Sequence, residues 1–383
     1  MLISPLATYT TRVAGTHVTL ALGIALETAS LLGASFATTI WQLFLSQGVA
    51  FGLGMGLLFV ASVGIVPQWF TTHRSLANGF ATSGSGLGGL LYSLATGAML
   101  PALGLPWTFR VLALLALTVN ALSAALLRDR NALIGAVPLA FDTRLFARPE
   151  YLLLNAYGFF SLLAYVVLIF SLANYARAAL GLSAARAALI SALLNLGQAV
   201  GRPPIGYFSD TLGRINMACL MTLLSGLLAL ALWTTSTTYA LLILYALLGG
   251  AVAGTFWVTV APVAAEVVGL KHVPSALNLE WLVIVLPATF SEPIALEIVA
   301  GTGGAYLGTQ LFTGFMYVVA AAAMLLLRGW KIGEREELAC MKAEAAAAAD
   351  DVEVLEVEED VEGRAKAAGR RSMLANCLKW RRV

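Results

Sequence analysis

Four polar side chains, Ser191, Asn195, Gln198 and Arg202, recur at i, i+4, i+7 and i+11 inside an otherwise apolar run. At about 100° per residue they share one narrow stripe of a helix, which would carry a hydroxyl, two amides and a guanidinium along one edge. Polar groups in such a setting are costly and normally line a bundle interior or an aqueous path. Arg202 is the candidate anion ligand, because its planar fork of donors suits a carboxylate. The alternative is an arginine that snorkels to the aqueous boundary or pairs with Asp210. The acids Glu27, Glu280, Glu292 and Glu297 form a second set, within or at the ends of apolar runs. Burial makes a carboxyl hold its proton more tightly, so Glu27 and Glu292 are candidate proton carriers, with a neutral or hydrogen-bonded structural acid as the alternative. Glu280 and Glu297 sit nearer the ends of their run and are expected to reach water. A further small-and-polar stripe, Asn78, Thr82, Ser85, Gly89 and Tyr92, suits helix contact as well as it suits substrate contact.

Other chemistries find little support. Gly84, Gly86 and Gly89 spell G-x-G-x-x-G, but a dinucleotide turn needs a preceding strand and an acid about 20 positions on, and the next acid is Asp129. Close helix packing is the better reading of these glycines, and of Gly48, Gly52 and Gly56. His17, His73 and His272 fall near loops, and Cys219, Cys340 and Cys377 are too scattered for a disulfide framework or a metal site. No nucleophile, base and orienter trio is visible. The expectation is a protein that is not an enzyme and holds neither cofactor nor metal.

The elements that carry these residues are membrane helices. Of 383 residues 59% are hydrophobic and only 11% charged, a balance that a water-soluble domain of this size could not keep. Residues 334–383 hold 12 of the 21 acids and 9 of the 23 bases, which leaves the preceding chain overwhelmingly apolar. The net charge of +2 argues for no nucleic-acid partner. A crossing helix needs about 20 mainly apolar residues. Ten such runs lie near 18–37, 41–67, 75–98, 108–127, 151–176, 184–208, 215–234, 239–262, 275–299 and 305–327. Met1 to Tyr9 is apolar too, but nine residues rise only about 13 Å as helix, and no basic n-region or cleavage site marks a signal peptide. With residues 10–17 in the cytoplasm, the loops on that side carry ten bases, among them Arg12, Arg74, Arg128, Arg144, Arg214 and Lys271, against Arg110, Arg177 and Arg186 opposite. This satisfies the positive-inside rule and places both termini in the cytoplasm. Residues 128–150 form the longest polar break. The expected organisation is four spans over 1–127, a cytoplasmic loop over 128–150, six spans over 151–330 and a disordered charged tail over 331–383, where Leu378 and Trp380 could rest on anionic lipid or stay solvated.

Two stretches carry a resemblance. PQWFTTHRSLANGFATSGSGLGG (67–89) and GRPPIGYFSDTLGRINM (201–217) resemble the major facilitator superfamily, specifically the fungal monocarboxylate-porter branch, with Trp69 where tyrosine is common. The second contains the G-x-x-x-D-x-x-G-R loop through Gly206, Asp210, Gly213 and Arg214, and LPATFSEPIAL (286–296) is a more local likeness. The resemblance implies an all-α bundle of twelve helices in two halves that rock about a central cavity. This chain holds about ten of the twelve, so it is expected to lack helices at its N-terminal end. It further implies a loop that switches conformation, and an Arg202 that binds a substrate carboxylate with Gln198, Asn195 and Ser191 beside it. Animal porters of this kind carry an aspartate where Gln198 stands, and glutamine cannot ionise. The expected function is secondary transport of a small organic solute, a monocarboxylate by resemblance, with or without protons, in the plasma membrane ahead of a vacuolar or other organellar one. The alternative is a transport-inactive sensor or assembly partner, since a half with four spans is not expected to transport alone.

Overall fold

In a computed structural model, residues 1–134, 142–348, 365–367, 372, 373, 375–377 and 379 are described, and among them there is no strand. The long helices are apolar runs able to cross a bilayer, where every backbone amide must find its partner within the segment. A short helix α1 (Ser4–Ala14) leads through Gly15, at φ +88°, into α2 (Thr16–Ser35) and then α3 (Ile40–Trp69). The segment Arg74–Leu126 follows. Its 53 residues would reach about 80 Å as one straight helix, far more than a bilayer core of about 30 Å. It divides at Gly104, whose φ of +75° is a left-handed conformation that no side-chain-bearing residue adopts cheaply. The result is two helices, α4 (74–103) and α5 (105–126). Six more follow: α6 (Pro149–Ala178), α7 (Ala184–Leu212), α8 (Arg214–Trp233), α9 (Tyr239–Val268), α10 (Leu270–Gly301) and α11 (Leu307–Ala348).

Among the described residues nine segments are long and apolar enough to cross a membrane, and the division at Gly104 makes ten crossings, as the hydropathy reading expects. The tail differs from that reading. Helix α11 runs without a break through residue 331 to Ala348, so the first part of the expected disordered tail is helical. An alanine-rich stretch with interspersed acids and bases is a good helix former once a membrane helix has nucleated it. Residues 349–364, Leu378 and Trp380 lie outside the described residues, as does the middle of the 128–150 loop.

The first four crossings pack among themselves. Helix α2 lies antiparallel to α5, tied at both ends and the middle: the Thr16 hydroxyl donates to Asp129, Asn120 Nδ2 to Glu27 Oε2 at 2.7 Å, and Arg110 Nε to Ser35 Oγ at 3.3 Å. Helix α3 meets α2 where Gly54 closes on the Glu27 backbone and Ser30 Oγ donates to the Ser46 carbonyl at 2.8 Å. The last six crossings form a denser core, with Trp233 stacked on Tyr245 at 5.5 Å and Tyr151 donating to the Ala276 carbonyl at 2.7 Å.

Among the described residues the two groups meet through α4 on α7, α1 on α10 and α3 on α9 and α10. Helix α4 packs antiparallel on α7 over residues 75–89 and 195–210, with no room for a Cβ at three glycines of the pair. A Cβ on Gly79 would lie 2.7 Å from the Arg202 carbonyl, one on Gly86 2.6 Å from Ala199 N, and one on Gly206 would overlap the Ser75 carbonyl. Small residues let membrane helices approach in this way. Of the glycines read from sequence as packing sites, Gly86, Gly89 and Gly56 are close-packed. Gly84 and Gly52 face open space, and Gly48 meets only Phe44 of its own helix. On the same end Ser4 Oγ of α1 donates to the Asn278 carbonyl of α10 at 3.1 Å, and Phe59 of α3 packs against Trp257 and Trp281 at 5.8 and 5.1 Å. All these contacts lie towards the end that carries Arg74, Arg128 and Arg214.

Candidate functional site at the seam between the bundles

The predicted stripe belongs to α7, whose N-terminus is capped by Ser183 accepting from Arg186 N. The helix contains Pro203 and Pro204 directly after Arg202. Each proline removes an amide from the helical ladder, which softens the helix beside the arginine.

Arg202 is 2% exposed and sits where α4, α6, α7 and α9 converge. It does not snorkel. Its Nη1 donates to the Thr82 carbonyl and to Ser85 Oγ, both from α4 across the seam. Its Nη2 donates to Gln198 Oε1 at 2.7 Å and, at 3.4 Å, to the Tyr165 hydroxyl of α6. Tyr165 in turn donates to the same Gln198 oxygen at 2.7 Å. Every one of these acceptors is neutral, and Nε has no partner. Asp210, the alternative partner, is occupied elsewhere, and among the described residues no carboxylate pairs with this guanidinium. A buried, uncompensated cation is expensive, and an anion placed against it would relieve that cost with charge-assisted hydrogen bonds. Gly254 of α9 presses on the guanidinium, since a Cβ there would lie 2.8 Å from Nε and Nη2.

Gln198 is therefore a direct ligand of Arg202. Asn195 packs its amide against Gly89 and donates to the Ser191 carbonyl at 3.1 Å, so it belongs to the seam, while Ser191 lies half-buried one turn further from the arginine. The α4 stripe faces the same place: Thr82 and Ser85 bind Arg202, and Asn78 donates to the Trp257 and Val258 carbonyls at 3.1 and 2.6 Å.

The loop residues cluster at the sealed end. Asp210 accepts from Ser75 N at 3.0 Å and Leu76 N at 2.8 Å, which caps the N-terminus of α4 with a negative charge. It also pairs with Arg214 at 3.4 Å, and Arg214 reaches Glu266 of α9 at 3.1 Å. Gly206 allows the close approach of Ser75, and Gly213, at φ +105°, makes the turn between α7 and α8.

The acids separate. Glu27 is half-buried and accepts from Asn120, remote from Arg202 on the α2–α5 pair. Glu292 is half-buried on α10 and accepts from Ser171 at 3.2 Å, and Glu297 is exposed. Glu280 overturns the expectation that it reaches water: it is 1% exposed, and neither carboxylate oxygen has a hydrogen-bond partner. Its place near the end of its span does not help it, because α6 and α9 pack over it. Tyr165, Trp257 and Gly254 were not singled out from sequence. Each lies in a continuous apolar or small-residue run, where nothing in type or spacing marks a polar neighbour on another helix.

Ten crossings in two unequal groups that join around a buried arginine define a polytopic helical-bundle protein of the two-bundle transporter type. The chain belongs to the Major Facilitator Superfamily, whose profile matches residues 1–171 and 154–339. It is similar to a probable transporter, MCH2, of Saccharomyces cerevisiae, with 29% identity over 353 residues that cover 90% of this chain and 74% of the yeast protein. It is also 30% identical over 349 residues to the uncharacterised transporter ESBP6 of the same yeast, covering 86% of this chain and 51% of that one. Among solved structures a variant of the E. coli fucose:proton symporter FucP superposes with a TM-score of 0.66 at 13% identity, over 85% of this chain and 87% of FucP. The proton:xylose symporter XylE gives 0.64 at 14%, over 87% and 82%. At these identities the solved structures speak for the fold.

Proposed function

We propose that the chain is a secondary transporter of a small organic anion, with monocarboxylates as the substrate class, working by alternating access between its two bundles. The observation that carries this reading is the Arg202 guanidinium, buried at the seam with neutral ligands only and one donor unpartnered. It binds across both bundles, so an anion that competes for its donors would also loosen the α4–α7 contact. Binding and rearrangement are thereby joined in one group. Gln198 supports the anion reading, because an amide in that position orients the guanidinium without neutralising it. The base-rich end is assigned to the cytoplasm, so the structure corresponds to a state closed on that side. The chain spans 74% and 51% of the two yeast relatives' lengths.

The test is uptake into proteoliposomes with radiolabelled lactate and pyruvate as probes and glycerol as the neutral control. Arg202→Lys replaces a planar fork by a point charge. It is expected to raise the KM for the carboxylates by about 10-fold or more, the loss of one charge-assisted hydrogen bond, while protein yield holds. Unchanged carboxylate affinity in the variant, or saturable glycerol uptake in preference to both acids, overturns the reading.

A further inference from the structure

Helix α3 does not finish cleanly. Beyond Gly64 its ladder shortens to a bond from Ile65 N to the Ser62 carbonyl at 3.1 Å, and Pro67 withholds a further amide. Helix α5 ends nearby, where Leu127 turns to an extended conformation. The two loosened ends leave a cavity of about 340 Å³ between them, remote from Arg202. That volume lies in the range of small-ligand sites, about 300–1,000 Å³.

The walls are almost wholly apolar, with Val66 and Phe70 from one side and Leu126 and Leu127 from the other. Ser62 also lines the space, but its hydroxyl donates to the Leu58 carbonyl of its own helix at 2.8 Å. The indole N–H of Trp69 is spent on the Arg128 carbonyl at 2.9 Å. Arg128 is the remaining polar lining residue; it is exposed, and among the described residues its guanidinium has no partner. Arg130 lies beside it, exposed, with its guanidinium 3.9 Å from the centre of the Trp69 ring and no acid partner among the described residues. Asp129, between them in sequence, is engaged by the Thr16 hydroxyl of α2 and by Asn131 N. On the inner side of the same turn, Arg74 donates to the Pro67 and Phe70 carbonyls at 3.1 and 3.0 Å.

Two cations without acids therefore stand over an apolar cavity at the ends of two membrane spans. A soluble anion would meet the arginines and leave the cavity unfilled. A neutral lipid would fill the cavity and leave the charges unmet. An acidic phospholipid satisfies both, because a guanidinium fork suits phosphate and an acyl chain suits the walls. Trp69 at the rim is placed as aromatic residues are at the headgroup level, and the base-rich end faces the leaflet that carries anionic lipid. We infer that this cavity binds one anionic glycerophospholipid of the cytoplasmic leaflet, its phosphate on Arg128 and Arg130 and its upper acyl chain between the ends of α3 and α5. The bound lipid ties α3 to α5 and to the start of the central loop, where Gln68 Nε2 already donates to Asn131 at 2.8 Å. The site rests on the membrane orientation and not on the Arg202 reading.

The test titrates delipidated protein in detergent with phosphatidylserine, phosphatidylcholine or inorganic phosphate. Phosphatidylserine is expected to raise the melting temperature saturably by about 3 °C or more, and the other two to do little. Arg128→Gln/Arg130→Gln should weaken that response by about 10-fold or more. Ser62→Leu, which fills the cavity, should abolish it while melting as the parent does in phosphatidylcholine. Residues 363–383 are basic as well, so location is read separately, with a phosphatidylserine that carries a photoactivatable group on its acyl chain. Cross-links to residues 62–70 and 126–128 are expected. An equal response to phosphatidylcholine would mean an unselective lipid coat, and an equal response to inorganic phosphate a soluble-anion site; either overturns the proposal, as do cross-links confined to other spans or to the tail. Should neither variant fold, the cross-links on the parent decide. Lactate uptake can fail without touching any of these results.

Discussion

At the scale of single residues, Gln198 and Arg202 divide their work by charge. The amide oxygen accepts from both Arg202 and Tyr165, at 2.7 Å each, and so fixes the guanidinium while leaving its positive charge open. A carboxylate of the same length would keep the geometry and cancel the charge. Gln198→Glu is therefore expected to weaken carboxylate binding at neutral pH by about 10-fold or more. Affinity should return as acid protonates the new side chain, so uptake of lactate becomes steeply acid-activated where the parent is flatter. A KM against pH profile measures this. Equal profiles for parent and variant would show that the charge of Arg202 is not what the substrate reads.

Between elements, the α4–α7 contact depends on missing side chains and on one cap. A Cβ at Gly86 would lie 2.6 Å from a backbone nitrogen of α7, and backbone cannot step aside as a side-chain tip can. Gly86→Val should force the helices apart at a cost of about 1–3 kcal/mol. The expected readout is a lower melting temperature in detergent together with loss of uptake, whereas Gly84→Val, facing open space on the same helix, should leave both nearly unchanged. Asp210 contributes differently. Its two oxygens cap Ser75 N and Leu76 N and meet Arg214, so Asp210→Asn keeps an acceptor but loses the charge at the N-terminus of α4. About 1 kcal/mol of the sealed state should go with it. Spin labels on Thr72→Cys and Thr211→Cys, exposed positions flanking the seam, would then show more of the open population, and an unchanged distribution would exclude this role.

For the whole molecule, orientation is the property most directly tested. The turn at Gly104 is assigned to the non-cytoplasmic side. Ala102→Cys is a suitable probe because it is exposed beside that turn, whereas Gly104 itself has a positive φ that a side chain would strain. A membrane-impermeant maleimide should label it from the non-cytoplasmic side of sealed vesicles of known orientation. Labelling only from the cytoplasmic side would reverse the topology, and with it the side on which the structure is closed.

Much of this architecture was legible in the residues themselves. Apolar length determines that a segment crosses a bilayer, and it already separated the runs 75–98 and 108–127 into two crossings, because this follows from local composition, whereas the turn at Gly104 itself was seen only in the structure. The Ser191–Arg202 stripe was legible for the same reason, since helical period alone aligns it. Contacts between helices were not. In lipid a contact face and a lipid face are equally apolar, so periodicity does not tell Gly86 from Gly84, or show that Thr82, Ser85 and Tyr165 reach Arg202. Glu280 marks the limit most sharply. Its position along the span suggested water, and only the packing of α6 and α9 over it decided otherwise, because burial depends on neighbours distant in the chain.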